Sequence, residues 1–237
     1  MFKRLFLFLL FAPLCYNLFA QTLEPMGATA TYAVSQITGI PFRETGVNYD
    51  VTGSPFLFDE WKQGKVILYN GSEYDNVMLR FNTLKNIFYF NRNDSVFELP
   101  DDATEVSLKN TADNGNELDF KKIISTDNKL PMAAFVQVLS NGKVPLYKQY
   151  IKRIEGDNFS NGLITTKKTI VDHNSLWTIK NNETLPVKLN SRSLEEITFD
   201  KKDQVLNFVK TKKLNIKNEK DFAEAITYYN SISSIKK

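Results

Sequence analysis

The chain has one histidine, His173, and it stands beside Asp172. A histidine next to a carboxylate is two-thirds of a hydrolytic triad, and the missing third is an activated serine. No G-x-S-x-G elbow occurs to hold such a serine. Neighbours on a strand point to opposite faces, so His173 reads as a surface or turn residue. Two adjacent carboxylate pairs, Asp59-Glu60 and Asp101-Asp102, are the next candidates. Paired acids can act as acid and base in glycoside hydrolysis, provided both side chains face one cleft. Asp101-Asp102 follows Pro100 and reads as a turn, not as the wall of a cleft. Metal ligation finds no H-E-x-x-H, no Cys/His cluster and no EF-hand spacing. Phosphate cradles are also missing, with neither a Walker A motif nor G-x-G-x-x-G. The expectation is a protein without catalytic, metal or cofactor-binding residues.

Binding without catalysis leaves other residue types to weigh. Trp61 and Trp177 are the only tryptophans, and stacking on a sugar ring would need them exposed. Both read as packing residues. "LYKQYIKRI" interleaves Tyr147 and Tyr150 with Lys148, Lys152 and Arg153. Basic residues among aromatics on one surface suit nucleic acid, but a half-buried strand produces the same alternation with no ligand. No nucleic-acid partner is expected. Lys201, Lys202, Lys210, Lys212, Lys213, Lys217 and Lys220 crowd together, with Asp203 and Glu219 among them. They read as a solvated helix face, with a phosphate or lipid-headgroup patch as the sharper alternative.

Where the protein works is suggested by its first twenty residues. Lys3 and Arg4 precede the apolar run Leu5 to Phe11, and Ala20 offers a small residue for cleavage. That is the layout of an export signal, although the −3 position would be Leu18. The run is too short for a comfortable membrane span, which takes about 20 apolar residues. An uncleaved N-terminal anchor is the alternative. Cys15, the single cysteine, follows Leu14 where a lipoprotein signal would have Gly or Ala. Cleavage after Ala20 would leave no cysteine, hence no disulfide and no thiol chemistry. The formal charge of +3 includes Lys3 and Arg4; without them the chain is near neutral, which gives no general pull towards polyanions.

The elements that must position any site are mostly strands. Residues 21–53 are broken up by Gly27, Gly39, Pro41, Gly46 and Gly53 and read as an extended arm. From Ser54 the pattern turns to β. "SPFLFDEW", "KVILY", "NVMLRF", "NIFYF", "SVFEL", "TEVSL" and "ELDFKKI" are strand-like runs separated by short turns. Asn70-Gly71 suggests a type I′ turn, which needs positive φ at both central residues. Asn91 to Asp94 reads as a turn, as does Asp113 to Asn116. "AFVQVLS" and "KVPLYKQYIKRI" form a second hairpin about Asn141-Gly142, with Pro145 facing an edge. "LITTKKTIV" and "SLWTIK" are expected to pair, and Asn181-Asn182 turns the chain into "TLPVKL". Connections this short require antiparallel pairing. Beyond residue 190 the period changes. Ser193 and Glu196 have capping-box spacing, Asp200 is placed to cap the next helix, and Val205, Phe208 and Val209 make an apolar stripe. Asn218 can cap a last helix whose face is Phe222, Ala225, Ile226 and Tyr229.

One block resembles a known group. In "GSPFLFDEWKQGKVILYNGSEYDNVMLRFN", residues Gly53, Ser54, Pro55, Phe56, Leu57, Gly64, Leu68, Gly71, Asn76, Val77, Leu79, Arg80, Phe81 and Asn82 match a pattern of exported proteins of Bacteroidota-type bacteria. "AFVQVLSNGKVPLYKQY" and the basic C-terminal stretch ending on Tyr229-Asn230 are similar to later blocks of those proteins. The resemblance spans roughly residues 50–230. It implies an exported envelope location and a β fold, and it carries no activity.

The expected protein is mainly β: an antiparallel meander sheet, as one sheet, two sheets or a partial barrel, with a small C-terminal pair of α-helices. Its expected layout is a signal peptide over 1–20, an extended arm over 21–53, a β domain over 54–190 and a helical cap over 191–237. The expected function is a non-catalytic envelope protein that binds a protein or cell-surface partner. It is placed in the periplasm, at the outer membrane or outside the cell, with no transmembrane segment after the signal. A carrier of an apolar or glycan ligand in a curved sheet is the alternative, and a carboxylate hydrolase is the third reading.

Overall fold

The computed structural model describes residues 31–32, 37–41, 51–109, 117–124, 133–156, 168–181 and 183–233. The segment read as a signal, Cys15, the turn at 113–116 and most of the loop at 155–162 lie outside the described residues. The protein is mainly β, with helices at its C-terminal end. The strands are β1 (Thr31–Tyr32), β2 (Ile40–Pro41), β3 (Val51–Thr52), β4 (Lys62–Leu68), β5 (Glu73–Asn82), β6 (Ile87–Arg92), β7 (Ser95–Glu98) and β8 (Ala103–Lys109). They continue as β9 (Glu117–Ile124), β10 (Ala133–Ser140), β11 (Leu146–Gln149), β12 (Lys152–Gly156), β13 (Lys168–Asp172), β14 (Ser175–Lys180) and β15 (Glu183–Val187). Helices α1 (Ser191–Ile197), α2 (Lys202–Lys212) and α3 (Glu219–Ser233) follow, with a 3-10 turn over Phe199–Lys201 between the first two.

One large sheet runs in the order β15-β14-β11-β10-β9-β8-β4-β5-β6-β7-β2, with β1 beside the start of β5. Its path does not close among the described residues. A second, three-stranded sheet has the order β12-β13-β3. Every pairing is antiparallel except β1 with β5 and β3 with β13. The arm therefore makes both parallel contacts.

The large sheet curls over itself. From β6 to β10 is five strand steps, roughly 24 Å along the sheet. Yet the rings of Phe88 on β6 and Phe135 on β10 lie 5.0 Å apart. Phe81 stacks on Phe88 at 4.2 Å, and Phe120 on β9 meets both edge-on at 5.3 Å. Asn86, in the β5–β6 turn, seals the curl: its amide donates to the Phe135 carbonyl at 3.0 Å and accepts from the Phe135 N–H at 2.7 Å. Val66, Val77, Leu79, Val106 and Leu108 fill the rest of this core, and Ile37 of the arm is fully buried in it.

The far side of the sheet is covered differently. Val144, Leu146, Leu176 and Val187 pack under Leu194, Ile197, Val205, Phe222, Ala225, Ile226 and Tyr229 of the helices. These helices are short, so the packing has to hold them. Asn218 caps α3 through the N–H groups of Lys220 and Asp221, as its position predicts.

Several local expectations are corrected. At Asn70-Gly71 only Gly71 has positive φ, +82°, and the loop is three residues long, Tyr69 to Gly71, with the Gly71 N–H donating to Leu68. That is a turn followed by a left-handed glycine, the commonest three-residue hairpin. The two-residue loop with both φ positive occurs at Asn93-Asp94, +50° and +60°, between the paired residues Arg92 and Ser95. "SPFLFDEW" is an irregular loop with one bridge, Phe56 to Asn82. "KVPLYKQYIKRI" breaks at Tyr150-Ile151 and sends β11 to one sheet and β12 to the other. Pro145 precedes β11, which is an inner strand, so it faces no edge. β13 pairs with β12 and β3, not with β14. Asn190, not Ser193, caps α1, accepting from the Ser193 N–H at 2.9 Å. Asp200 caps nothing at α2, because its carboxylate is bound elsewhere.

Candidate functional site

The sequence candidates do not converge. His173 lies just after β13, and its Nε2 is 2.6 Å from Glu155 of β12. The two side chains tie the base of the small sheet together. Asp172 is exposed on the neighbouring position and takes no part in that bond. Asp59, Glu60, Asp101 and Asp102 are all exposed. Asp59 accepts from the Ser54 hydroxyl and lies 3.9 Å from Arg80, whereas Asp101 is 4.0 Å from Lys122. Among the described residues no group of three or more His, Cys, Asp or Glu side chains could hold a metal.

The aromatics are also accounted for. Trp177 donates its indole N–H to Ser175 at 2.7 Å, and both tryptophans are half-buried. Tyr147 is buried on β11; Tyr150 donates to Gln137 at 2.8 Å and packs on Phe120. Burial raises the Tyr150 hydroxyl to a pKa of about 12, assisted by Glu219. Lys148 pairs with Glu219 at 2.9 Å, and Lys152 donates to the carbonyls of Ser54 and Phe56. The row that looked like a nucleic-acid motif is thus spread over two sheets and mostly committed to packing. The concave face of the large sheet is filled by phenylalanines. A cleft of about 250 Å³ opens between Phe135, Lys122 and Leu99 at its rim.

Two further surfaces stand out; the sequence implied a sheet with edges open to pairing but not which edge, and it gave no sign of the second surface. The first is a set of strand edges. Both ends of the large sheet carry a proline, Pro41 on β2 and Pro186 on β15. Proline lacks the N–H that a further strand would need, so both edges are blunted. The outer edge of β12 has no proline, and no strand among the described residues pairs with it. Its direction can be worked out. His173 donates to the Ile151 carbonyl, towards β13, while Lys152 donates to Thr83, away from it. Alternation then turns Arg153 and Glu155 inwards and the N–H of Ile154 outwards. The Ile154 side chain is 45% exposed, and β12 and β13 are exposed along most of their length.

The second surface is the corner of the helical cap. Phe199, in the 3-10 turn, is 78% exposed. Beside it a cleft of about 360 Å³ is lined by Lys143, Lys180, Asp200 and Tyr229. Tyr229 donates to Asp200 at 2.7 Å, and Lys143 is 3.6 Å from the same carboxylate. The Tyr229 hydrogen bond, with Lys143 in support, holds the Asp200 carboxyl below its usual range. Burial, then the bond to Asp200, pushes Tyr229 up to about 12. Lys180 donates to the carbonyls of Glu196 and Ile197 at the end of α1, where a cation suits the helix dipole. Lys180, Asp200 and Tyr229 of this cleft are thus all engaged within the fold.

Scans of family models, curated proteins and solved structures return no match to this chain. Among the described residues no helix is long and apolar enough to cross a membrane.

Proposed function

We propose that this chain is an exported, non-catalytic protein of the cell envelope that binds a protein partner by strand addition along the outer edge of β12. The free edge carries the reading: beyond Lys152, whose N–H is taken by Thr83, it presents the outward N–H of Ile154 with neither a paired strand nor a proline, and at five residues it is longer than the two-residue flanks of β1 and β3. Main-chain bonds to such an edge supply affinity, and side chains at alternate positions supply selectivity. Arg153 and Glu155 flank Ile154 and guard the edge against self-association. The basic and apolar N-terminal run and the resemblance of Gly53 to Asn82 to exported proteins favour the envelope as the place.

The test is cross-linking and affinity capture of the tagged protein from its own cells, read by mass spectrometry. Ile154→Pro removes an outward N–H and spares the ladder to β13, whereas Arg153→Pro removes an inward one and breaks it. The expected outcome is a reproducible envelope protein captured by wild type and lost with Ile154→Pro, whose circular dichroism and melting stay close to wild type. Equal capture by wild type and Ile154→Pro would move the docking surface off β12. A monomer that captures nothing would overturn the binding reading.

A further inference from the structure

The turn between α2 and α3 carries five lysines, Lys210, Lys212, Lys213, Lys217 and Lys220, and one acid, Glu219, within residues 210–220. This stretch has a formal charge of +4 against +3 for the entire chain, so everything outside it sums to slightly acidic. All five lysines are exposed, and none has an ion-pair partner among the described residues. Glu219 is engaged by Lys148 on β11, and the Asp221 carboxylate accepts from the Asn215 N–H.

Helix electrostatics explains only part of this pattern. Cations near a helix C-terminus are favourable, which suits Lys210 and Lys212 in the last turn of α2. The same dipole disfavours cations at a helix start, where Lys217 and Lys220 precede and enter α3. Lys213 is placed least economically. It occupies the left-handed position that ends α2, φ +56°, with its N–H donating to Val209 and Lys210. That site favours glycine, and a residue with a Cβ is strained there. Three of the five lysines thus stand where local structure would choose otherwise. The corner is also firm: Leu214 and Ile216 pack against the helical core between the lysines.

We infer that this α2–α3 corner is a docking surface for the anionic headgroups of a lipid bilayer. A convex turn with five free cations matches a broad polyanionic plane better than a small ligand, which requires a concave site. The site is separate from the β12 edge, and the two can fail independently.

The probe is co-sedimentation of the purified full chain with vesicles of phosphatidylcholine alone or with 30% phosphatidylglycerol, at low and high salt. Binding only to the anionic vesicles, weakened by salt, is expected. Each lysine near an anionic surface is worth about fivefold in affinity. The triple variant Lys212→Gln, Lys213→Gln, Lys217→Gln should therefore bind roughly a hundredfold more weakly. Lys213→Gly should bind about fivefold more weakly while melting at a higher temperature. That combination separates a docking role from a structural one. Equal binding to neutral vesicles, or full binding by the triple variant, would overturn the inference. So would retention on an acidic protein or nucleic-acid matrix without uptake by anionic vesicles.

Discussion

The two cores cover the same sheet by opposite means. On the β4–β10 side the sheet bends until its own phenylalanines meet, and Asn86 stitches the closing strands. On the β11–β15 side the sheet stays open, and three helices are laid on it. The curled core relies on shape and on rings in mutual contact. The helical side relies on apolar packing together with a few polar latches. Asn230, buried on α3, accepts from the Val144 N–H at 3.0 Å and donates to the carbonyls of Val144 and Asn141. Tyr229, one residue earlier, ties the helix to Asp200. A core closed by its own chain has little to release, whereas a core closed by a cap has identifiable points at which it can let go.

The sharpest way to break this contrast is to hollow out the curled core. Phe88→Ala should cost about 3–5 kcal/mol, because it removes a ring held on three sides. Urea unfolding followed by circular dichroism should show one earlier transition, with β5 and β6 amides losing hydrogen-exchange protection. Retained protection there would mean that the ring cluster does not hold the sheet. Next is the latch. A Cβ at Gly142 would come within 2.6 Å of Asn230, and its φ is +139°. Gly142→Ala and Asn230→Ala should each cost about 2 kcal/mol. Combined, they should cost less than the sum, since Asn230→Ala removes the Cγ and Nδ2 atoms that a Gly142 Cβ would strike, although the Asn230 Cβ and the strained φ of residue 142 remain. Strict additivity would show that the latch and the loop are independent.

A smaller effect isolates backbone strain. Gly71 has φ +82° and open space around its Cα, so Gly71→Ala should cost about 1 kcal/mol from conformation alone. A loss several times larger in thermal melts would point to an unrecognised contact. The smallest effect is the pH response of the cap. The Asp200 carboxyl is held low in the fold, so its contribution is present above the unfolded value and fades as pH falls through the folded one. Tyr229 is held high, so its contribution is complete below its unfolded value and is lost as pH rises towards about 12. The cap should loosen in acid, whereas the alkaline loss is shared with Tyr150 beside β11, and Asp200→Asn should flatten the acid limb of a melting-temperature profile. An unchanged acid limb would remove Asp200 from the account.

Much of the architecture was legible in the residue pattern. Period-two runs marked the strands of the large sheet, and the change of period after residue 190 marked the helices. Turn types were less legible. Asn-Gly tolerates either hairpin geometry, and here the strand register selected a three-residue loop, while Asn93-Asp94 took the tighter one. The caps show the same limit. Asn190, Ser193 and Asp200 can all accept from a helix N–H, and competing partners decided among them: Tyr229 took Asp200 away from α2, and the Lys188 N–H took the Ser193 hydroxyl, leaving α1 to Asn190. The β12 edge was hidden because "KVPLYKQYIKRI" reads as one strand, and only three-dimensional pairing breaks it at Tyr150-Ile151. The lysine-rich corner was visible as composition. Its conflict with the helix dipole and with the left-handed site of Lys213 was not, because neither exists until the helices do.

The arm has a consequence in time. β1, β2 and β3 pair with β5, β7 and β13, and the Thr52 hydroxyl bonds a carbonyl 116 residues further along. A ribosome makes the arm first, but its last docking place is made more than a hundred residues later. Contacts of such long range close slowly. The β3–β13 pairing is therefore expected late in folding, and until it forms the nascent chain displays an open strand flank to whatever escorts it.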